Sequence, residues 1–330
     1  MLPLCVPSAI PFWRELQREN FTRIESLADF LELSASLRLH LLKDPRFILN
    51  VPYRLAAKMA KNTLDDPLVR QFLPLLEEET AAPHMAEDPV QDKSFRKTKK
   101  LLQKYPGRTL IVTTGACAMH CRYCFRKNFP YEVETTGYAA ELAAIHSDPS
   151  LTEVILSGGD PLSLSDGALA TLLLALDKIP HLKRVRFHSR FPIGIPERID
   201  DSFLNLLAQC RKQIIFVIHC NHPKELDTDV IEALKKIQRL GIPVLNQSVL
   251  LHKVNDDEAT QLQLAEALVN AGILPYYLHL NDPVIGSGHF DVSQQRGEEL
   301  IRYLQQHLSG YGIPRLVREI PGELSKTVYI

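Results

Sequence analysis

The sequence predicts an α/β fold, a partial (β/α)6 barrel preceded by an N-terminal helical accessory region. From Thr109 onward, short β-branched runs alternate with stretches of helical periodicity, which is typical of repeated βα units around a parallel sheet. Before that point, amphipathic stretches follow one another with charged or proline-bearing joints between them. We therefore place the accessory region at residues 1–105 and the barrel, with its C-terminal segment, at residues 106–330.

The accessory region is expected to be helical, with amphipathic stretches around residues 13–20, 24–33 and 53–61. Its last part, residues 91–104, reads QDKSFRKTKKLLQK and is strongly basic. We interpret this segment as a solvated helix face, with a binding patch as the alternative.

The barrel is expected to contain six strands and six helices. The strands are predicted at residues 109–114, 153–157, 183–188, 213–219, 243–250 and 274–280. The helices are predicted at residues 136–147, 165–178, 198–211, 227–240, 256–271 and 293–309. Because ligands of such sheets bind at the carboxyl ends of the strands, the residues that follow each strand are the candidates for chemistry.

The composition favours a globular protein that acts on a small molecule. Hydrophobic residues make up 45% of the chain and charged residues 23%, enough for a sizeable core. A formal net charge of −1 supplies no basic field for nucleic acid or an anionic membrane. The longest apolar run, residues 168–176, is about half of what a bilayer crossing needs. The N-terminal residues lack the basic start of a secretory signal, so we expect a cytoplasmic location.

Three of the six cysteines, Cys117, Cys121 and Cys124, lie within one short loop directly after the first barrel strand. Three thiolates can bind three irons of a [4Fe–4S] cluster and leave the fourth iron open for a substrate or cofactor. The alternative is zinc, which needs four ligands in a closed site and could recruit His120 or a distant residue as the fourth. The spacing therefore predicts a metal centre, with a cluster as the favoured form.

The loop GACAMHCRYCF resembles the CxxxCxxC signature of the radical S-adenosylmethionine superfamily, including the aromatic Tyr123 before the third cysteine. The resemblance continues in SGGDPL, which follows the second strand as the Gly-Gly-acid motif of that superfamily does. It implies that Ser157, Gly158, Gly159 and Asp160 help to bind S-adenosylmethionine. Glycines there would let backbone carbonyls approach the methionine amino group.

Several stretches in the C-terminal two thirds of the chain resemble lysine 2,3-aminomutase in both order and spacing. They are YPGRTL, CAMHCRYCFRKNF, SGGDPL, HCNHPKE, LNQSVLLHKVND, YYLHLNDP, GHF and PGELSK. The resemblance implies an isomerase that converts L-lysine to (R)-β-lysine with a [4Fe–4S] cluster, S-adenosylmethionine and pyridoxal 5′-phosphate. It is closest to the short bacterial form that supplies β-lysine for modification of elongation factor P. It also implies an electron donor such as flavodoxin or ferredoxin.

The same resemblance assigns residues to the pyridoxal phosphate and to S-adenosylmethionine. It implies that Lys326 anchors the aldehyde as a Schiff base and that Arg108 holds the phosphate. Gln247 would contact pyridoxal phosphate and His219 would contact S-adenosylmethionine. The chain departs from the commoner PGGGGK motif, because Glu323, Leu324 and Ser325 stand where glycines are usual.

The substrate residues implied by the resemblance are Arg126 for the carboxylate, with Asp282 and Glu319 for the side-chain ammonium. The second acid, Glu319, is usually an aspartate in the family. The extra methylene of glutamate would shorten the pocket, so the length of substrate that fits stays open. An aminomutase for another amino acid remains an alternative, although glutamate would require cations at the two acids. A non-catalytic iron–sulfur or zinc module is a third possibility.

The chain has Asp257 where longer members have a zinc-binding cysteine, so we expect that additional zinc site to be absent.

Overall fold

The computed structural model describes residues 10–80, 84–130 and 137–330. Within these residues, one sheet of nine strands carries the fold, and its spatial order follows the chain order from β1 to β9. The strands are β1 Leu101–Tyr105, β2 Arg108–Thr114, β3 Glu153–Gly158, β4 Arg184–Ser189, β5 Gln213–Ile218, β6 Val244–Leu250, β7 Leu274–Leu280, β8 Arg315–Arg318 and β9 Thr327–Val328.

Strands β2 to β8 are parallel, and the sheet has an antiparallel strand at each edge, β1 beside β2 and β9 beside β8. All six predicted strands are present with ends within one residue of those expected. The residues directly after Lys326 form β9. Strand β8 was not predicted.

The barrel helices lie in the connections between the parallel strands, as the βα pattern predicted. They are α6 Ala139–Ser147, α7 Asp166–Asp177, α8 Phe191–Gly194, α9 Asp201–Gln209, α10 Thr228–Gln238, α11 Glu258–Asn270 and α12 Gln294–His307. The first residue of the predicted helix 136–147 lies outside the described residues. Of these helices, α8 was not expected, and it occupies a single turn at the end of β4.

The accessory region consists of short helices, of which three were predicted. They are α1 Phe12–Arg18, α2 Ile24–Phe30, α3 Ala35–Arg38, α4 Tyr53–Ala57 and α5 Pro67–Phe72. Its packing against the barrel is apolar, since the buried Trp13 meets Phe191 of α8 edge-on with ring centroids 5.4 Å apart. Full burial of such side chains stabilises the fold by about 1.5–3 kcal/mol each. In the described ranges, no helix combines the length and apolar character needed to cross a membrane.

The predicted helix over residues 91–104 is wrong. A short 3-10 turn covers Asp92–Phe95, and β1 begins at Leu101. Leu101 and Leu102 are buried, and Gly107 has a φ of 75°, which allows the tight turn that folds β1 back on β2. Long-range strand pairing therefore overrides the helical propensity of the lysines and leucines. The division of the chain at residue 105 stays a prediction.

Side chains on the parallel strands alternate between the helices and the interior of the barrel. On β4, Val185 and Phe187 are buried in the apolar core, whereas Arg186 and His188 line an internal cavity. This period of two is the ordinary geometry of a strand. It gives the barrel an apolar outer layer beneath the helices and a polar interior.

Candidate functional site

The interior of the barrel contains a cavity of about 580 Å³, a volume typical of small-molecule sites. The structure brings every predicted site residue to the wall of this one cavity. They are Cys117, Cys121, Cys124, Tyr123, Ser157, Gly158, Gly159, Asp160, Arg108, Arg126, His219, Gln247, Asp282, Glu319 and Lys326. Residues that are far apart in sequence therefore form one site, while the role of each residue stays a prediction.

The cysteine loop follows β2 and is anchored by the accessory region. The amide of Asn50 donates a hydrogen bond to the carbonyl of Cys117 at 3.1 Å. Burial raises the pKa of Cys117 well above its usual range and raises the pKa of Cys124 to about 11. Both groups are therefore neutral thiols at neutral pH until a metal displaces their protons.

His120 is oriented by the accessory region and not by the cysteines. Its Nδ1 lies 2.9 Å from the carbonyl oxygen of Ile48, and its ring stacks on Phe47 with centroids 4.7 Å apart. In the part of the chain that the structure describes, no three histidine, cysteine or acidic side chains gather around one point as a single ion would require. Thiolates of a four-iron cluster bind different irons and need not meet at one point.

The Gly-Gly-acid motif packs directly against the start of the cysteine loop. A Cβ on Gly159 would lie 2.4 Å from the carbonyl oxygen of Ala116, so only glycine fits there. The Asp160 carboxylate is buried and accepts hydrogen bonds from the Ser189 hydroxyl and from the backbone N–H of Arg190. Asp160 thus joins the ends of β3 and β4, and its contact with S-adenosylmethionine stays a prediction.

Arg126 is held by a buried aspartate that the sequence did not single out. Its Nε donates to Asp92 at 2.8 Å, and its Nη1 lies 3.5 Å from the Ser157 hydroxyl. Lys104 contacts the other oxygen of Asp92 at 2.7 Å. Burial alone would raise the pKa of Asp92, but Arg126 and Lys104 outweigh it and lower the pKa, so the carboxylate stays ionised.

Glu319 lies between two lysines inside the cavity. The ammonium of Lys326 is 2.6 Å from Oε2 of Glu319, and the ammonium of Lys104 is 2.6 Å from Oε1. Burial would raise the pKa of Glu319, but the two cations outweigh it and lower the pKa to about 2. Glu319 is therefore a permanently ionised acceptor for ammonium groups.

Asp282 lies in the same cavity in a different electrostatic state. Burial, with the nearby charge of Glu319, raises its pKa to about 7 despite the opposing effect of Lys326. Among the described residues, its Oδ1 is buried with no hydrogen-bond partner. An additional cation beside Asp282 would satisfy this oxygen and lower the pKa. The two acids are thus suited to hold one more ammonium group.

The chain matches known proteins over most of its length. Residues 111–264 match the family described as the Radical SAM superfamily. The L-lysine 2,3-aminomutase of Escherichia coli (strain K12) is 44% identical over 285 residues, which cover 85% of this chain and 83% of that protein. The protein of the same name from Haemophilus influenzae (strain ATCC 51907 / DSM 11121 / KW20 / Rd) is 43% identical over 289 residues, covering 86% and 85%.

The chain belongs to the lysine 2,3-aminomutase family. A more distant member, from Clostridium subterminale, is 31% identical over 322 residues, covering 96% of this chain and 77% of that protein. Members of this family are radical S-adenosylmethionine isomerases that use a [4Fe–4S] cluster and pyridoxal phosphate. The predictions of family and fold class are confirmed.

The residues of this lysine 2,3-aminomutase family member fit the groups that the family uses. The three thiols of the cysteine loop would hold the cluster, and the Lys326 amine faces the cavity where an aldehyde could be anchored. Arg108 lies on the cavity wall over the ring of Tyr105, at 4.7 Å. It stands at the amino end of β2, so the cavity extends through the barrel and is not confined to the carboxyl edge.

Three histidines besides His120 line the same interior and are held neutral. Nδ1 of His188 lies 3.1 Å from Nε2 of His219. Burial, with the charge of Arg190, lowers the pKa of His219 to about 4. Burial also lowers the pKa of His188 and of His279 well below the usual range, with Lys326 contributing at both. These rings can donate or accept hydrogen bonds without adding charge to the site.

Several site residues were missed by the sequence reasoning. Asp92 and Lys104 lie in the basic stretch that was interpreted as a solvated face, and no local signal marks them as buried. Arg190 and His188 lie at the carboxyl end of β4. Ligands of parallel sheets bind at these strand ends, so the predicted strand alone marks both residues as candidates. His279 alternates with buried apolar residues on β7, which is also a recognisable pattern.

Proposed function

We propose that this chain converts L-lysine to (R)-β-lysine by moving the α-amino group to the β-carbon. The observation that carries the proposal is the pair of largely buried acids, Asp282 and Glu319, in the same cavity as the cysteine loop, Arg126 and Lys326. A buried acid pair selects a cation, because an unpaired buried charge is strongly unfavourable. Lysine supplies that cation at the end of its side chain.

The cofactors supply the difficult chemistry: when bound, the cluster and S-adenosylmethionine furnish a radical that removes an unactivated hydrogen, and pyridoxal phosphate holds the migrating nitrogen. The protein binds and orients. Arg126, fixed by Asp92, presents a planar guanidinium that suits the fork of a carboxylate. Lys326 anchors pyridoxal phosphate, and Arg108 binds its phosphate.

Glu319 connects the anchor with substrate recognition. In this structure Lys326 itself supplies the ammonium that Glu319 binds, at 2.6 Å. While Lys326 is bound to pyridoxal phosphate, it presents no free ammonium to this carboxylate, so Glu319 is open to the ammonium of an arriving substrate together with Asp282. The substrate α-amine would then displace the Lys326 amine from the cofactor, while Glu319 and Asp282 hold the ammonium of the substrate side chain. Glutamate at position 319 is one methylene longer than the aspartate that is usual in the family. The extra length suits a carboxylate that accepts first the ammonium of Lys326 and then the ammonium of the substrate.

The cellular setting of the proposed reaction follows from its chemistry. A cluster held by the cysteine loop would need one electron to cleave S-adenosylmethionine, so we propose an electron donor of the flavodoxin or ferredoxin class. Free thiols and a reducible cluster fit the cytoplasm. We also propose that the product serves the modification of elongation factor P, supported by the resemblance to the short bacterial family members.

The test is a substrate panel under strictly anaerobic conditions. The protein is reconstituted with iron, sulfide and pyridoxal phosphate, reduced, and incubated with S-adenosylmethionine and either L-lysine or L-glutamate. Chiral chromatography should show (R)-β-lysine from L-lysine and no product from L-glutamate. Turnover of L-glutamate without turnover of L-lysine would overturn the substrate assignment. Stoichiometric zinc in place of iron in the freshly isolated protein would overturn the cluster assignment.

A further inference from the structure

A buried arginine donates directly to one of the three cysteine sulfurs. Arg190 follows the last residue of β4 and is only 5% exposed. Its Nη1 lies 2.8 Å from the Sγ of Cys121 and also contacts the hydroxyl of Tyr123. A guanidinium is always charged and donates only, so this contact is a charge-assisted hydrogen bond to sulfur.

The guanidinium is held in this orientation from the opposite side. Its Nη2 donates to Oε1 of Gln71 at 2.7 Å and to Oε2 of Glu225 at 2.8 Å. The Gln71 amide in turn donates to the second carboxylate oxygen of Glu225 at 3.1 Å. Gln71 lies on α5 of the accessory region, while Glu225 lies after β5 in the barrel. The accessory region therefore takes part in orienting Arg190.

The backbone of Arg190 is fixed as well. Its N–H donates to Asp160 at 2.8 Å, and its guanidinium lies over the ring of Phe72 at 4.8 Å. Asp160 belongs to the motif that packs against the cysteine loop. The sulfur, the donor and the acceptors behind the donor are thus fixed relative to one another by buried contacts.

Reduction adds one negative charge to an iron–sulfur cluster, and part of that charge resides on the thiolate sulfurs. Hydrogen bonds to these sulfurs and exclusion of solvent are among the features that set cluster reduction potentials. A buried N–H donor stabilises the reduced form more than the oxidised form, whereas a buried carboxylate nearby does the opposite. Arg190 and Glu225 should therefore shift the potential in opposite directions.

We propose that Arg190 is a positioning residue for the cluster, which makes the cluster easier to reduce by donating a hydrogen bond to the Cys121 sulfur, and that Gln71 and Glu225 hold it in place. The inference rests on the proposed function only in taking Cys121 as a cluster ligand. The accessory region, which supplies Gln71, thereby helps to set the reduction potential of the cluster. Arg190 likewise has a role beyond packing in the core.

The experiment is an anaerobic redox titration of the reconstituted full-length protein, followed by electron paramagnetic resonance of the reduced cluster. It is carried out without S-adenosylmethionine or lysine, so the readout does not depend on turnover. The variants are E225Q, the double variant R190M/E225Q, and R190K. The double variant avoids leaving Glu225 as a buried unpaired carboxylate. R198K is the matched control, because Arg198 is equally buried and pairs with Asp166 at 2.7 Å.

We expect E225Q to shift the midpoint to a more positive potential and R190K to shift it modestly to a more negative one. At the midpoint of E225Q, the ratio of reduced to oxidised cluster in R190M/E225Q should be at least about tenfold lower, which corresponds to 59 mV for one electron. R198K should titrate like the unmodified protein. Iron and sulfide content confirm that each variant holds a cluster.

The inference is overturned if, at the midpoint potential of E225Q, the ratio of reduced to oxidised cluster differs by less than threefold between E225Q and R190M/E225Q. If the double variant fails to hold a cluster, an unchanged midpoint in both E225Q and R190K overturns it equally. The proposed function fails separately, because a cluster that titrates as described in a protein that makes no β-lysine rejects the reaction and leaves the role of Arg190 intact.

Discussion

The ammonium of Lys326 lies 2.6 Å from Oε2 of Glu319, although the two residues are separated by a loop in which glutamate, leucine and serine replace the usual glycines. The two side chains are only 21% and 16% exposed, and Glu319 is ionised at any physiological pH because Lys326 and Lys104 lower its pKa. The proposed anchor of the cofactor and the proposed acceptor of the substrate are therefore in direct contact. Changes at either residue should affect both functions.

We expect Glu319→Gln to lower kcat/KM for L-lysine by roughly 10- to 100-fold, because a hydrogen bond to a charged group is worth about 1.5–3 kcal/mol. Glu319→Asp keeps the charge and should lose less. Steady-state formation of β-lysine measures both effects. Glu323→Gln is the matched control, since Glu323 lies exposed in the same loop and should behave like the unmodified protein. Equal losses at both positions would contradict a specific role for Glu319.

The activity should depend on the ionisation of Asp282. Its pKa is raised to about 7, so the carboxylate that binds an ammonium is mostly protonated at pH 6 and mostly ionised at pH 8. Substrate binding therefore strengthens as the pH rises. We expect the ratio of kcat/KM in the unmodified enzyme to that in Asp282→Asn to rise about tenfold between pH 6 and pH 8. A ratio that does not change over this range would show that Asp282 does not titrate in the site.

Arg126 should discriminate between ligands that have a carboxylate and ligands that lack one. Arg126→Lys keeps the charge but loses the bidentate fork, so we expect kcat/KM for L-lysine to fall about 10- to 100-fold. Inhibition by 1,5-diaminopentane, which has both amines of lysine and no carboxylate, should be unchanged. Weaker inhibition by the diamine to the same degree would indicate general damage to the cavity.

The sequence predicted the six central strands well, because β-branched runs bounded by turn residues are a local signal. It failed at β1, where KKLLQKY has a helical pattern but pairs with β2 across a turn at Gly107. It also missed β8, since Arg315–Arg318 is short and follows a proline. In each case a contact with a neighbouring strand decides the structure, and that contact leaves no mark on the local sequence.

The spacing of the three cysteines predicts a metal centre without any relative, but the residues proposed to bind pyridoxal phosphate and lysine could be predicted only through the family resemblance. Lys326 and Glu319 lie near the end of the chain and would pass for surface residues without it. Lys104, which contacts Glu319, and Asp92, which contacts Lys104 and Arg126, belong to a segment rich in charged residues. Arg190 is different, because its position after β4 marks it as a candidate from the strand pattern alone. What the sequence lacks is information about which charges the barrel encloses.

The packing of the glycine motif predicts a sharp loss of stability for Gly159→Ala. The added Cβ would lie 2.4 Å from the carbonyl oxygen of Ala116, and neither backbone segment can move without displacing the cysteine loop. Overpacking of this kind costs about 1–3 kcal/mol, so thermal unfolding should begin several degrees lower. Gly167→Ala is the control: Gly167 lies in α7 with open space around it, and alanine there should be neutral or stabilising.

The central claim is that the cysteine loop and the lysine-binding acids serve one reaction in one cavity. The most direct measurement uses L-lysine deuterated at the β-carbon, incubated anaerobically with the reduced, reconstituted protein and S-adenosylmethionine. Mass spectrometry of the 5′-deoxyadenosine should show deuterium acquired from lysine, because the two ligands react within the same cavity. Formation of 5′-deoxyadenosine that never carries deuterium, with the lysine unchanged, would contradict the account.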